Sequence, residues 1–142
     1  ANLIDYLNSA DYFLGSTGST NADRLTALSD TSASIGNRAR SYLHSNCAMC
    51  HRPGTTNRAT MDLRYSTNLL NTHTCNVAPQ LTGAGDVTSK LIIPGEALNS
   101  VLLMRMKSHD VNLRMPPIAR LTEDLQATAL IQEWISNMSA CI

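Results

Sequence analysis

Aromatic side chains are scarce in this chain: one Trp, one Phe and four Tyr, or 4% of 142 residues. A core with so few rings takes its bulk from aliphatic residues or from a bound apolar group. Lysine is scarcer still, because only Lys90 and Lys107 stand beside nine arginines. The 11 basic and 11 acidic residues cancel to a formal net charge of zero. With no basic run either, the electrostatic footprint of a nucleic-acid binder is excluded. No apolar run approaches the roughly 18 residues that a bilayer-spanning helix needs. No secretory leader or internal repeat is recognisable, so the compartment has to follow from chemistry. Apolar residues still make up 43% of the chain, enough for one packed core at the length of a single domain.

Periodicity divides the sequence. Residues 1–14 read as a short helix with Leu3, Ile4, Leu7, Phe13 and Leu14 as its buried points. Small polar residues dominate 15–34, which reads as a linker. Residues 1–34 are therefore expected to be an N-terminal arm and 35–142 the folded domain. From Ile35 onward, Ile35, Ala39, Tyr42, Leu43, Asn46 and Cys47 share one helical face. Ser34 or Ser32 is the expected cap. Residues 52–89 lack a period and carry Pro53-Gly54, Pro79 and Gly83-Ala84-Gly85, with an extended piece at Met61–Tyr65. So long an irregular stretch in a small domain suits a chain that wraps a ligand. Pro94-Gly95 is expected to open another helix, with Leu98, Val101, Leu102 and Arg105 or Met106 on its inner face. Met115-Pro116-Pro117 cannot continue a helix. The last helix is predicted from a Thr122 cap with Glu123 and Asp124 in its first turn. Its stripe is Ala127, Leu130, Ile131, Trp134, Ile135 and Met138.

Four cysteines are present, two of them in one tight motif, Cys47-Ala48-Met49-Cys50-His51. This C-x-x-C-H spacing is the attachment signal of a c-type haem. Two thiols one helical turn apart can reach two vinyl groups of the macrocycle, and the following imidazole can bind iron. One covalent haem c held by Cys47, Cys50 and His51 is therefore the expected cofactor. A redox disulfide would use the same C-x-x-C, but the βαβ context it requires is missing. A zinc site from Cys47, Cys50, His51 and Cys75 is chemically legitimate, although adjacent Cys50 and His51 crowd one tetrahedron.

These residues resemble a bacterial class I c-type cytochrome domain over roughly Ile35 to Met138. The likeness lies in a helix leading into CAMCH, a wrapping loop and a closing C-terminal helix. Ala39 and Leu43 match the family's small or apolar pair on the first helix, and Ile131 or Leu130 with Trp134 matches the partner pair on the last. RSYLHSNCAMCHRPG and MDLRY are also similar to cytochrome domains fused to periplasmic quinoprotein-type dehydrogenases. The resemblance implies an all-α class I cytochrome c fold, three to five helices wrapped around one haem with long loops. It further implies single-electron transfer rather than enzymatic turnover, as a soluble carrier or as one domain of a larger oxidoreductase. The alternative class is a haem enzyme or sensor, peroxidase-like or gas-binding, whose sixth ligand is displaced.

The family takes its second axial ligand from a methionine well after the histidine. Met115 in Arg114-Met115-Pro116-Pro117 matches that loop, so His/Met ligation by His51 and Met115 is expected. Met49 lies too close to the attachment cysteines; Met104, Met106 and Met138 read as core filling, and Met61 stays open. His44, His73 and His109 are the rivals, each read as a surface residue. By position, Arg52, Arg64, Arg114 and Tyr65 are candidates to hold the haem's carboxylates. A carbonyl near Pro53 or Pro79 is expected to orient the His51 ring. Haem attachment in this family takes place outside the cytosol, where free thiols are disfavoured, so a Cys75–Cys141 disulfide is expected, against two free thiols or partners elsewhere. The implied location is periplasmic or otherwise extracytoplasmic. The implied partners are a redox donor and acceptor, met through a mostly apolar patch with little electrostatic steering.

Overall fold

The computed structural model describes residues 3–13, 15, 24–55, 59–80 and 89–141. Those residues are all-α: four helices, no strand, and two isolated parallel bridges, Cys75 with Ile92 and Lys90 with Ser100. The helices are α1 (Leu3–Ser9), α2 (Ile35–Cys47), α3 (Val101–Lys107) and α4 (Leu125–Ser136), with single 3₁₀ turns at Leu69–Asn71 and Ala97–Asn99.

The core is the contact of α2 with α4. Ala39 and Leu43 are buried on α2; Ala127, Leu130, Ile131, Trp134 and Ile135 are buried on α4. The small side chains on α2 bring the helices close: a Cβ placed on Gly36 would lie 3.5 Å from the Trp134 indole nitrogen. Ser34 caps α2 by accepting the Asn37 N–H at 3.2 Å. Asn46, expected on the inner face, is exposed, because α2 turns that edge to solvent beyond Leu43. The neighbouring stretch 24–34, read as part of a linker, lies against this frame. The Thr26 N–H donates to Ser41 Oγ, Arg38 Nε donates to the Leu28 carbonyl, and Leu28 packs on the core.

Several boundaries differ from the sequence reading. The α4 cap is Asp124 rather than Thr122: its carboxylate accepts the Ala127 N–H at 3.0 Å. A carboxylate at this place also meets the positive end of the helix dipole. The helix expected from Pro94 starts only at Val101. Pro94-Gly95 makes a turn instead, with Gly95 at φ +80, a conformation open to glycine. The Gly95 N–H donates to the Ile135 carbonyl, which ties the turn to α4. Leu98 is then 71% exposed, while Val101, Leu103 and Met106 form the buried face of α3. Met104, read as core, is partly exposed instead. α1 buries none of its residues, and Leu3 and Phe13 are exposed rather than buried. Leu14 and Gly83-Ala84-Gly85 lie outside the described residues.

Cys75 and Cys141 are joined by a disulfide that closes 66 residues of chain. It fastens the segment after α4 to the irregular stretch between α2 and α3.

Ile131 is fully buried, so Ile131→Ala is expected to cost about 3 kcal/mol of unfolding free energy through lost transfer energy and the cavity left behind. Asn46→Ala should stay within about 0.5 kcal/mol. Replacing Cys75 and Cys141 together by Ser should cost about 4 kcal/mol on the chain-entropy account. Denaturant unfolding of the four chains checks all three.

Candidate functional site

The C-x-x-C-H motif folds as a turn that prolongs α2. The N–H groups of Cys50 and His51 both point to the Cys47 carbonyl, at 3.1 and 2.8 Å. The His51 carbonyl in turn accepts the Leu63 N–H at 2.8 Å. His51 is thus fixed from both sides by backbone.

Cys47 and His51 line a cleft with about 800 Å³ of empty space, its mouth included. The rest of the lining is Leu43, Ala59, Met61, Leu63, Pro79, Gln80, Leu91, Leu102, Arg105, Met106 and Met115. Aliphatic and thioether side chains dominate it, and Arg105 is its one charged member among the described residues. Burial, with the Arg105 charge adding to it, pushes the His51 imidazole below its ordinary pKa. The ring is therefore neutral near pH 7, with a lone pair free for a metal. Its Nδ1 is buried without a partner, and neither the Pro53 nor the Pro79 region supplies the expected carbonyl among the described residues. Burial, and next the neighbouring Cys50, push the Cys47 thiol up to about 12. A thiol so raised is the opposite of the acidic cysteine that drives redox exchange. Cys47 and Cys50 are not bonded to each other, and Cys50 is exposed outside the lining. The zinc arrangement loses its fourth ligand, because Cys75 is bonded to Cys141.

Met115 reaches the same cleft on a stretch held at both peptide ends. Its N–H donates to the Arg105 carbonyl at 2.9 Å, and its carbonyl accepts from Arg120 Nη1 at 2.9 Å. Arg120 also donates to the carbonyls of Ser108 and Thr122. Its guanidinium binds the loop after α3 to the chain entering α4. Met61 lines the cleft as well, whereas Met49 is exposed and Met138 packs on the core.

The opposite end of the irregular stretch is clamped too. Arg40 of α2 donates to the carbonyls of Arg64, Tyr65 and Thr67. His44, read as a surface residue, accepts the Tyr65 N–H on Nδ1 at 2.9 Å. Asp62 collects Arg64 Nε and Nη2, the Arg64 N–H and the Thr67 hydroxyl. These bonds hold Met61 and Leu63 in the wall. They also correct the carboxylate-binding candidates. Arg64 is spent on Asp62, Arg52 is exposed, and neither they nor Tyr65 or Arg114 line the cleft. His73 and His109 are exposed and outside it. Arg105 is the lining cation that position in sequence did not single out for this role.

The Arg64 hydrogen bonds, and after them that of Thr67, hold the Asp62 carboxyl well below the ordinary carboxylate range. A depressed folded-state value means stabilisation that is complete above the ordinary range and lost as pH falls through the folded value. Asp62→Asn is therefore expected to lower stability at neutral pH and to flatten its dependence below about pH 4. Denaturant midpoints of both chains across that range check this; parallel curves would refute it.

No family model matches the chain, and neither a search of curated proteins nor one of solved structures finds a match.

Proposed function

We propose that the chain is a monohaem c-type cytochrome domain of the class I fold that carries single electrons, free or as part of a larger oxidoreductase. The observation that carries this reading is that the C-x-x-C-H turn brings Cys47 and His51 to the apolar cleft that Met115 also lines. On this reading Cys47 and Cys50 hold the haem by thioethers, and His51 and Met115 are its axial ligands. The bound group supplies a one-electron ferric–ferrous couple. The protein's share is positioning. His51, kept neutral by burial, offers a lone pair without first shedding a proton. Met115 is pinned through its own peptide groups, so the backbone that carries its sulfur is held without help from the ligand. Leu43, Leu63, Leu91 and Met106 keep water from the site, and that exclusion is one of the levers that set a haem's potential.

The reading is an electron-transfer protein and not an enzyme. The Cys75–Cys141 disulfide supports a periplasmic or other extracytoplasmic location. Exposed Val111, Ile118 and Leu121 flank Met115 in sequence and suit a docking patch that is apolar rather than charged.

Expressed in a host that matures c-type cytochromes, the protein should be red and heavier than its sequence by one covalently bound haem. Met115→Ala should abolish the sulfur-to-iron charge-transfer band and leave the haem attached. An unchanged band would move the sixth ligand to another residue, and a colourless chain with its bare sequence mass would end the proposal.

The rate of electron exchange with redox partners should depend weakly on ionic strength, because zero net charge gives little steering. A steep fall in rate with added salt would contradict the apolar patch.

A further inference from the structure

Three of the chain's six aromatic rings stand outside its core, in one place. Tyr6, Tyr12 and Phe13 fall within the first 13 residues and are exposed, as is Leu3. α1 packs on no other helix and buries none of its residues. Exposed rings gathered on one arm, in a chain otherwise poor in them, mark a contact surface. The arm is also acidic: Asp5, Asp11 and Asp23 all precede the first cation, Arg24.

A surface of opposite sign lies between α3 and α4. Residues 105–120 carry Arg105, Lys107, Arg114 and Arg120 against one acid, Asp110. None of the four cations is in an ion pair among the described residues. The Arg120 guanidinium draws the two ends of the stretch together by donating to the carbonyls of Ser108 and Thr122. Val111, Ile118 and Leu121 project from it, Leu121 at 96% exposure. The projecting side chains are apolar, with positive charge behind and around them. An apolar arm that carries carboxylates and no cation is complementary to such a surface in both respects.

We propose that the arm, residues 3–13, docks on the 105–121 surface of a second copy of this chain, and that two copies exchange arms about a two-fold axis. A single copy leaves both surfaces open, so the arm does not answer its own loop. Exchange satisfies both chains at once and closes the assembly, whereas one-way docking would propagate into a filament. The area fits as well. Leu3, Tyr6, Tyr12 and Phe13 together offer roughly 500 Å² to cover. Two arms with the surfaces under them then bury about 2,000 Å², the size of a stable dimer interface. Val111, Ile118 and Leu121 also flank Met115 in sequence, so pairing of copies and docking of a redox partner exclude each other.

Sedimentation equilibrium of the full chain tests this, and it reads mass whether or not haem is attached. At about 50 μM, above the micromolar dissociation constants of the weaker interfaces of this size, the parent chain should have twice the mass of one copy. Dilution should release single copies. Tyr12→Asp in the arm and Leu121→Asp in the loop should each raise the dissociation constant tenfold or more. Both positions are exposed, so the fold is spared, which unchanged circular dichroism checks. Leu70→Asp, exposed but outside both stretches, should pair like the parent. A parent chain that stays single at 50 μM, its arm free or folded back on its own loop, would overturn the proposal. So would a dimer that either arm or loop substitution leaves unchanged, or one that Leu70→Asp disrupts.

Discussion

Buried peptide groups must find hydrogen-bond partners, and the cleft depends on how that constraint is met where no helix or sheet supplies them. Most of its wall is irregular chain. Each part of that wall borrows a partner from elsewhere: Leu63 N–H from His51, Asp62 N–H from Thr72, Leu91 N–H from Val77, and Ile92 N–H from Thr74. Buried hydroxyls complete the set. Thr72 and Thr74 share a hydrogen bond at 2.7 Å, and Thr72 also donates to the Leu69 carbonyl. The Ser100 hydroxyl accepts the Ile93 N–H and donates to the Glu96 carbonyl. The site is therefore shaped by backbone bookkeeping as much as by apolar packing. That is why polar residues such as Asp62, Thr72, Thr74 and Ser100 are buried beside leucines.

The imbalance of nine arginines to two lysines has a structural reading in the same constraint. Arg38, Arg40, Arg105 and Arg120 all donate to main-chain carbonyls, and Arg40 and Arg120 each gather three. A guanidinium has five donors in a fixed plane and sheds water more readily than an ammonium, so it can bridge several carbonyls at once. Lysine offers three donors on one compact, strongly hydrated nitrogen, with more freedom lost per bond. Arginine content in this chain reports loops that need clamps, and says little about partners.

The sequence reading succeeded where the signal was local. The α4 stripe needs only its helical period, and the Ser34 cap only its neighbour three residues on. It failed where two signals competed or where contacts are distant. Thr122 and Asp124 are both acceptable caps by type, and only the reach of the Asp124 carboxylate to the Ala127 N–H decides between them. The clamps join residues 21 to 27 apart, as between His44 and Tyr65 or Arg40 and Thr67, and leave no periodic trace. The carboxylate-binding candidates were named by their positions in sequence. Yet Arg64 is two residues from an acid that takes it, whereas Arg105 faces the cleft from α3. The period left Arg105 or Met106 open for that helix's inner face; which acids lie within reach of the cleft depends on contacts across the fold and leaves no local trace.

These attachments make the domain one cooperative unit. α4 is tied to the cleft by three independent routes: packing of Ile131 and Trp134 on α2, the Gly95–Ile135 hydrogen bond, and the disulfide from Cys141 to Cys75. Cys75 is bridged to Ile92, and the chain from Ile92 leads through Ser100 into α3. Loosening α4 therefore disturbs the turn before α3, then the carbonyl of Arg105 and the peptide of Met115. Local opening near the sulfur would have to break the Arg120 clamp and the Arg105 bond together, for the same methionine carries both. A methionine so held keeps its geometry because the whole helical frame does, and low-cost fluctuations belong to α1, which buries nothing.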